Sequence, residues 1–150
     1  MAKQKITTFL WFDHSAEEAA NFYVSLFPDS KVNHLVPGPG GGVQLVKFRL
    51  AGIDYIALNG GPIYKFSEAI SLSVDCADQA EIDRLWEQLS EGGSNCQCGW
   101  LKDKYGLSWQ IVPSILPQLM SDPTRAGAVM QALLQMTKLD IQKLQDAFDG

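Results

Sequence analysis

The stretch Gly106-Leu107-Ser108-Trp109 decides the fold, because Gly52-Ile53-Asp54-Tyr55 stands at the matching place in the first half of the chain. In each stretch a glycine turn leads into a strand with an aromatic residue two positions past the strand's first residue. Upstream of both turns the chain passes through a strand, a capped amphipathic helix and further strands. This order recurs with an offset of about 60 residues, which is typical of a repeated supersecondary unit. The sequence therefore predicts a duplicated βαβββ module.

The first module covers residues 4–62 in this interpretation. Ser15 and Glu18 form a capping box, and apolar residues at helical spacing follow it until Pro28. We expect strands over residues 4–12, 31–36, 43–50 and 53–58. The Gly- and Pro-rich residues 37–42 have no helix after them and no Lys-Ser/Thr ending, which favours a hairpin loop over a phosphate loop. A mobile lid over a pocket is the alternative for these six residues.

The second module covers residues 66–113 and repeats the order of the first. Strands are expected over residues 70–74, 95–102 and 107–112. Asp78 and Glu81 are a second capping signature, and the buried stripe of the predicted helix consists of Ile82, Leu85, Trp86 and Leu89.

A helical tail is predicted over residues 114–150. Asp122 followed by Pro123 is typical of a helix start. The apolar face of that helix would hold Ala126, Val129, Met130, Leu133 and Leu134. Asp140 is expected to cap a last helix with Ile141, Leu144 and Phe148 facing inward. Because about 35 residues are too few for an independent core, we expect the tail to cover a sheet or a subunit surface of a single domain, residues 1–150.

Composition excludes several classes of function. The net charge is −5 and the isoelectric point about 4.9, and dispersed cations make a poor nucleic-acid surface. No apolar run approaches the roughly 20 residues that span a bilayer. The basic N-terminus lacks the apolar core and cleavage site of a signal peptide. An odd count of 3 cysteines fits reduced thiols. We therefore expect a cytoplasmic protein that binds neither nucleic acid nor membrane.

The sequence identifies no catalytic residue and no cofactor. His14 and His34 are the 2 histidines, and both are expected to lie at the surface. Cys96 and Cys98 would share one face of a strand, but their spacing is not that of a zinc or redox motif. They are interpreted as structural thiols, with a reactive Cys98 in a pocket as the alternative. A nucleophile elbow and a Rossmann-type glycine turn are both missing from the sequence.

Aromatic and amide side chains near the predicted strand ends are the candidate ligand-binding residues. An apolar cavity with a few amides is a common form of small-molecule site. The simpler interpretation is that the tryptophans are core residues and the amides are satisfied within the fold. The candidates are Trp11, Gln44, Asn59, Trp100, Trp109 and Gln110, with Cys98 added by the thiol alternative.

Several motifs resemble the PhnB-like proteins of the vicinal oxygen chelate superfamily, which includes glyoxalases, bleomycin-resistance proteins and extradiol dioxygenases. Many of these proteins carry a demethylubiquinone methyltransferase label. The matching motifs lie in order along the whole chain, and the tail over residues 129–136 is similar to a helical extension of the group. They are Phe9-Leu10-Trp11-Phe12-Asp13, Ala57-Leu58-Asn59-Gly60-Gly61-Pro62, Cys98-Gly99-Trp100-Leu101-Lys102-Asp103 and Tyr105-Gly106-Leu107-Ser108-Trp109-Gln110-Ile111-Val112-Pro113.

The resemblance implies an α+β fold in which two βαβββ modules form curled mixed sheets around a cavity, commonly in a homodimer. It also implies a divalent metal held by His and Glu. The corresponding positions here fall within residues 6–8 and near Ile56, Ala69 and Gln110, with Glu68 beside the third. An uncharged amide binds metal weakly alone. The resemblance therefore implies a degenerate metal site, and no resident metal is expected.

Two hypotheses follow for the function. The first is a metal-free protein that binds an unknown small molecule, as bleomycin-resistance proteins do. The second is a metal-dependent lyase, isomerase or dioxygenase in which Gln110, Glu68 or a histidine supplies ligands. Methyl transfer is disfavoured, because the sequence holds no recognisable methyl-donor site.

Overall fold

The structure is a computed structural model that describes residues 3–150. Its contacts group the chain into two compact units that divide between Lys65 and Phe66. The first unit contains β1 (Thr8–Phe12), α1 (Ala16–Val24), β2 (Lys31–Pro37), β3 (Val43–Leu50) and β4 (Ile53–Asn59). The second contains β5 (Ser71–Cys76), α2 (Gln79–Ser90), β6 (Ser94–Asn95), β7 (Trp100–Lys102), β8 (Ser108–Pro113), α3 (Leu116–Met120), α4 (Ala126–Leu134) and α5 (Ile141–Asp149). The predicted α+β class, with two βαβββ modules and a helical extension, is confirmed.

The first unit is a four-stranded mixed sheet in the order β1-β4-β3-β2, with β1 parallel to β4. Side chains alternate between the two faces of the sheet. The face covered by α1 buries Leu10, Phe12, Val46, Phe48 and Ala57. We call the opposite face of this sheet the first open face.

The second unit repeats this arrangement with the strand order β5-β8-β7-β6, and β5 is parallel to β8. Its helix-covered face buries Leu101, Trp109 and Ile111 with the α2 stripe predicted from the sequence. The predicted cap of α2 is confirmed, because Glu81 N donates to Asp78 Oδ1 at 2.9 Å. We call the face opposite α2 the second open face.

The strand predicted over residues 95–102 is interrupted, and this expectation was wrong. Cys98 and Gly99 have φ angles of 62° and 83°, a left-handed backbone that ends strand pairing. The tail holds this turn in place, because Cys98 N donates to Met136 O and Gly99 N to Thr137 O. Cys96 and Cys98 therefore do not share a strand face.

The tail differs from its prediction at three points. Asp122 does not cap α4, which begins at Ala126; its carboxylate accepts from the Thr124 amide and hydroxyl instead. The predicted apolar face of α4 is divided, since Val129 is buried while Met130 and Leu134 point outward. The short helix α3 was not predicted. It joins the other two in a small apolar cluster of the tail's own, centred on Leu119, Val129, Leu139 and Leu144.

A glutamine side chain fastens the tail to α2. Gln79 Nε2 donates to Leu139 O at 3.0 Å, and Ile141 N donates to Gln79 Oε1 at 2.8 Å. The predicted Asp140 cap of α5 is confirmed by the bond from Lys143 N. Within residues 3–150 no helix combines the length and apolar character needed to cross a bilayer.

Candidate functional site

The second open face carries polar side chains in two rows that run across the sheet. Strand register defines the first row as Ser94, Lys102, Ser108 and Ser71. The second row consists of Cys96, Trp100, Gln110 and Ser73, with Cys96 placed by its backbone bond to Trp100. Directly opposed side chains lie about 5 Å apart at Cβ. The face therefore gathers hydroxyl, amide, ammonium, thiol and indole groups on one surface.

Gln110 is oriented by a bond across the strands. Its Nε2 donates to Ser71 Oγ at 2.9 Å. Because the Ser71 hydroxyl accepts this bond, its own hydrogen remains to donate. The amide thus donates toward β5 through its nitrogen, and this bond fixes the orientation of its side chain.

Ser108 lies between Lys102 and Ser71 in its row and is 1% exposed. Its Oγ has no hydrogen-bond partner among the described residues. A buried hydroxyl left unpaired costs about 1–3 kcal/mol. Such a group is unusual in a folded core. Because the hydroxyl has almost no exposed surface, a ligand can reach it only when the side chains around it move aside.

Lys102 forms an ion pair with Glu68, which precedes β5. The distance from Lys102 Nζ to Glu68 Oε1 is 2.8 Å. The hydrogen bond from Lys102 lowers the pKa of Glu68, and the same contact raises the pKa of Lys102. Both groups are therefore charged at neutral pH, and both remain accessible to solvent.

The structure separates two tryptophans that the sequence had grouped. Trp100 is half-buried on the second open face. Trp109 is 1% exposed on the opposite face, where its Nε1 donates to Asp103 Oδ2 at 2.9 Å. Consecutive strand residues point to opposite faces, so Trp109 and Gln110 cannot line one site. Trp109 has the core role that was its simpler interpretation.

The first open face has an apolar patch on β1, β3 and β4. Register places Phe9, Trp11, Leu45, Ile56 and Leu58 together on it. Trp11 is half-buried there, and its Nε1 donates to Gly61 O at 2.9 Å. The ring also meets Tyr64 edge-on at a centroid distance of 4.9 Å.

A glycine is required beside the Trp11 ring. A Cβ at Gly60 would overlap the indole. The Gly60-Gly61 pair therefore lets the chain pass close to Trp11 and present a carbonyl to its N–H. Trp11 is the candidate residue of the first unit that lies on its open face.

Gln44 and Asn59 lie on the helix-covered side of the first sheet. Asn59 Oδ1 accepts from Ala16 N at 2.9 Å, and its Nδ2 donates to Val43 O at 3.0 Å. Gln44 Nε2 donates to Asn59 O at 3.3 Å. Ser15 makes no capping bond with its side chain, so the predicted capping box is replaced by Asn59. Both amides are satisfied within the fold.

The three thiols have different environments. Cys76 is buried, and this desolvation raises its pKa to about 12. Cys98 is half-buried in the turn held by the tail. Cys96, which the sequence had not selected, is the thiol on the second open face.

Ser71, Ser73, Ser108 and Lys102 were also missed from the sequence, and Glu68 was considered there only as a metal ligand. A signal for two of them was present, since the order Ser71-Leu72-Ser73-Val74 alternates polar and apolar residues as a half-buried strand does. No local pattern could show the contact between Glu68 and Lys102, because it depends on the path of the chain before β5.

The residues do not fit the metal implied by the superfamily resemblance. Within residues 3–150 no three His, Cys, Asp or Glu side chains are grouped so as to hold an ion. Ile56 and Gln110 stand on the open faces where carboxylates were implied. Glu68 is engaged by Lys102.

Two clefts lie away from the second open face. One, of about 400 Å³, lies between α2 and the tail and includes Gln79, Thr137 and the ion pair of Asp83 with Lys138 at 2.8 Å. The other, of about 290 Å³, is in the first unit and includes Gln4, Lys47 and Tyr55. Neither combines an aromatic platform with an unpaired buried donor.

The paired βαβββ modules define a protein of the glyoxalase, or vicinal oxygen chelate, fold. Solved structures with the same fold include the protein PA1353 from Pseudomonas aeruginosa, with 20% identity and a TM-score of 0.61 over 74% of this chain and 98% of that one. The fosfomycin resistance protein FosX from Mesorhizobium loti is similar with 13% identity and a TM-score of 0.54, over 74% and 91% of the two chains.

Residues 4–112 match the family model described as 3-demethylubiquinone-9 3-methyltransferase, and the chain belongs to this PhnB-like family. The PhnB protein from Bacillus cereus is 35% identical, with a TM-score of 0.69 over 73% of this chain and 99% of that one. No curated protein matches the chain. The match to the family model ends before the helical tail begins.

Proposed function

We propose that the protein binds a small molecule on the second open face and does so without a resident metal. The carrying observation is the buried, unpaired hydroxyl of Ser108 in a row with Lys102 and Ser71. Trp100 supplies a flat apolar surface beside these donors, and such a mixture of one aromatic group and a few polar groups suits a small ligand.

Native mass spectrometry of the purified, untagged protein tests this proposal directly. We expect a small molecule to co-purify with the wild type and to be lost from the Trp100→Ala variant. Gln131→Ala is the matched control, because Gln131 is exposed on α4. The proposal fails if nothing co-purifies and a broad metabolite and antibiotic screen produces no shift in melting temperature.

The metal-dependent alternative makes a different prediction. A lyase, isomerase or dioxygenase of this superfamily needs a bound divalent ion, and the donors on the open faces do not supply its ligands. We expect less than about one tenth of an equivalent of metal to remain after loading with zinc, nickel, manganese or iron and dialysis. One equivalent retained by wild type and lost in Glu68→Gln would favour the enzyme.

The methyltransferase description of the family is not proposed as the activity of this chain. A methyl-donor cofactor needs an adenosine and sulfonium site, and the polar groups of the second open face are too few to build one. Calorimetry with S-adenosylmethionine is expected to show no heat of binding. Saturable binding of that cofactor would overturn this expectation.

We also propose a cytoplasmic homodimer. Met130 and Leu134, 38% and 50% exposed, give α4 an outward apolar surface that a second copy could bury. Light scattering should give twice the monomer mass at micromolar concentration. A monomer there would contradict the proposal, and a Leu134→Gln variant that stays dimeric would exclude α4 from the interface.

A further inference from the structure

Glu68 brings a carboxylate of the chain itself onto the donor row of the second open face. Its Oε1 lies 2.8 Å from Lys102 Nζ, and the two side chains are 62% and 36% exposed. An ion pair this exposed is worth little, because water and salt compete for both partners. Glu68 can therefore be exchanged for another anion at small cost.

Three donors are neighbours in this row. Lys102 presents an ammonium, and its register partner Ser108 has a buried hydroxyl without a partner. Ser71, the register partner of Ser108 on β5, accepts from Gln110 and keeps its hydrogen to donate. The row thus offers one positive charge and two hydroxyl donors, while Glu68 satisfies only the first of them.

An aromatic platform stands next to this row. Trp100 is two residues before Lys102 on β7, so both side chains point to the same face. The rise along a strand separates them by about 7 Å. A flat ring on the indole would consequently hold an attached anionic group over Lys102.

Resting on the proposed function, we propose that Lys102, Ser108 and Ser71 bind the oxyanion of a small aromatic ligand, and that Glu68 occupies Lys102 until this oxyanion displaces it. The recognised chemistry is a carboxylate or a phosphate carried a short chain away from a ring. Glu68 acts as an internal competitor, so it lowers the affinity for the ligand without blocking the site.

Calorimetric titration with three matched probes tests the proposal. The probes are 3-phenylpropionate, 2-phenylethyl phosphate and the neutral 3-phenylpropionamide. We expect at least one of the two acids to bind at least tenfold more tightly than the amide, because charge-assisted hydrogen bonds are the stronger ones. The ratio between the two acids identifies carboxylate or phosphate as the source of the oxyanion.

Side-chain replacements assign the contacts. Lys102→Met keeps the length of the side chain and should weaken the tighter-binding acid at least tenfold. Glu68→Gln removes the competing charge and should tighten binding of that acid about two- to fivefold. Lys31→Met, on the exposed start of β2, is the matched control and should leave both values unchanged. Circular dichroism confirms that each variant is folded.

The Ser108→Ala variant tests whether the buried hydroxyl donates to the ligand or is only an unsatisfied group of the core. If Ser108 donates to the ligand, the substitution should weaken binding of the acid two- to tenfold. An unchanged affinity together with a higher melting temperature would show that the hydroxyl is merely unsatisfied, and would remove it from the site.

The outcome that overturns the inference differs from the one that overturns the proposed function. Equal affinity for acids and amide, or no effect of Lys102→Met and Glu68→Gln, refutes oxyanion recognition even if Trp100→Ala still releases a co-purified molecule. Absence of binding by all three probes also refutes the inference, while native mass spectrometry decides separately whether the protein binds any small molecule.

Discussion

Replacing Asp103 by asparagine should destabilise the second unit through one indole. Asp103 is 2% exposed, and its Oδ1 accepts from Tyr105 N at 2.9 Å and Leu107 N at 3.1 Å. Its Oδ2 accepts from Trp109 Nε1 at 2.9 Å. In Asp103→Asn the amide oxygen can keep the two backbone bonds, but the amide nitrogen then faces the indole N–H.

The magnitude follows from these contacts. The substitution removes one hydrogen bond to a charged group, worth about 1.5–3 kcal/mol, and leaves a buried donor unpaired. We therefore expect the free energy of unfolding to fall by about 2–4 kcal/mol, out of roughly 5–15 for a domain of ordinary stability. The backbone bonds that Asp103 accepts shape the turn between β7 and β8. The substitution should therefore also loosen the strands that carry Trp100 and Gln110.

Urea unfolding followed by far-ultraviolet circular dichroism measures the change without relying on tryptophan fluorescence. Asp149→Asn is the matched control, since Asp149 is exposed at the end of α5, and it should stay within about 0.5 kcal/mol of wild type. Trp109→Phe removes the indole donor, so the double variant should lose about 1–2 kcal/mol less than the sum of the single variants. An additive double variant, or an unchanged Asp103→Asn, would refute the assignment.

Three further predictions concern the rest of the fold. Asn59→Ala should lower the free energy of unfolding by about 1–2 kcal/mol in chemical denaturation because α1 loses its cap, while Ser15→Ala should leave it nearly unchanged. A larger loss in Ser15→Ala than in Asn59→Ala would contradict the capping assignment. Gly60→Ala should lower the free energy of unfolding by about 1–3 kcal/mol, because the added methyl overlaps the Trp11 indole on β1. Gly127→Ala in α4 is the control and should raise it by up to about 1 kcal/mol. Equal melting temperatures for the two variants would argue against the overlap. With a pKa of about 12, Cys76 should stay a protonated thiol and should not react with Ellman's reagent at pH 8. We therefore expect two thiols to react in the native protein and three in denaturant. Rapid labelling of all three in the native protein would show that Cys76 is accessible.

Local patterns in the sequence were sufficient for most of the fold. The strand over residues 43–50 has the predicted boundaries, and the helix caps at Asp78 and Asp140 are present. Alternation and capping depend on residues a few positions apart, so one sequence displays them. The repeat of the glycine turns was enough to predict the duplication.

The errors arise where distant parts of the chain decide the local structure. The left-handed turn at Cys98 is held by backbone bonds to the tail, and nothing near it in the sequence indicates this. The cap of α1 comes from Asn59 rather than Ser15, because Phe12 at the end of β1 pairs with Asn59 at the end of β4 and brings that amide to the helix start. A tertiary contact from Asn59 thus caps α1 in place of Ser15, which is nearer in the sequence.

The predicted site residues are divided between the two faces of their sheets. Trp11, Trp100 and Gln110 lie on open faces, whereas Gln44, Asn59 and Trp109 lie on helix-covered sides of their sheets. The composition of a strand end does not state which face a side chain takes, and a shift of one residue reverses the answer. The strict alternation of Trp109 and Gln110 could have excluded one of the two at the outset.

The duplication allows the open faces of the two sheets to be compared position by position. The matching turns make Ile56 of β4 the counterpart of Gln110 of β8, and each residue points to the open face of its own sheet. The same register makes Arg49 and Asp54 the counterparts of Lys102 and Ser108, so both halves carry polar side chains on this part of their open faces. A metal held symmetrically by equivalent positions of both halves needs a ligand on each, and Ile56, the counterpart of Gln110, supplies none. In the first half the carboxylate of Asp54 stands where the second half has the hydroxyl of Ser108, and this difference makes the second half the better site for a ligand with an anionic end. The Lys102–Glu68 pair strengthens this interpretation, since the chain places a carboxylate of its own where such a polar end would lie.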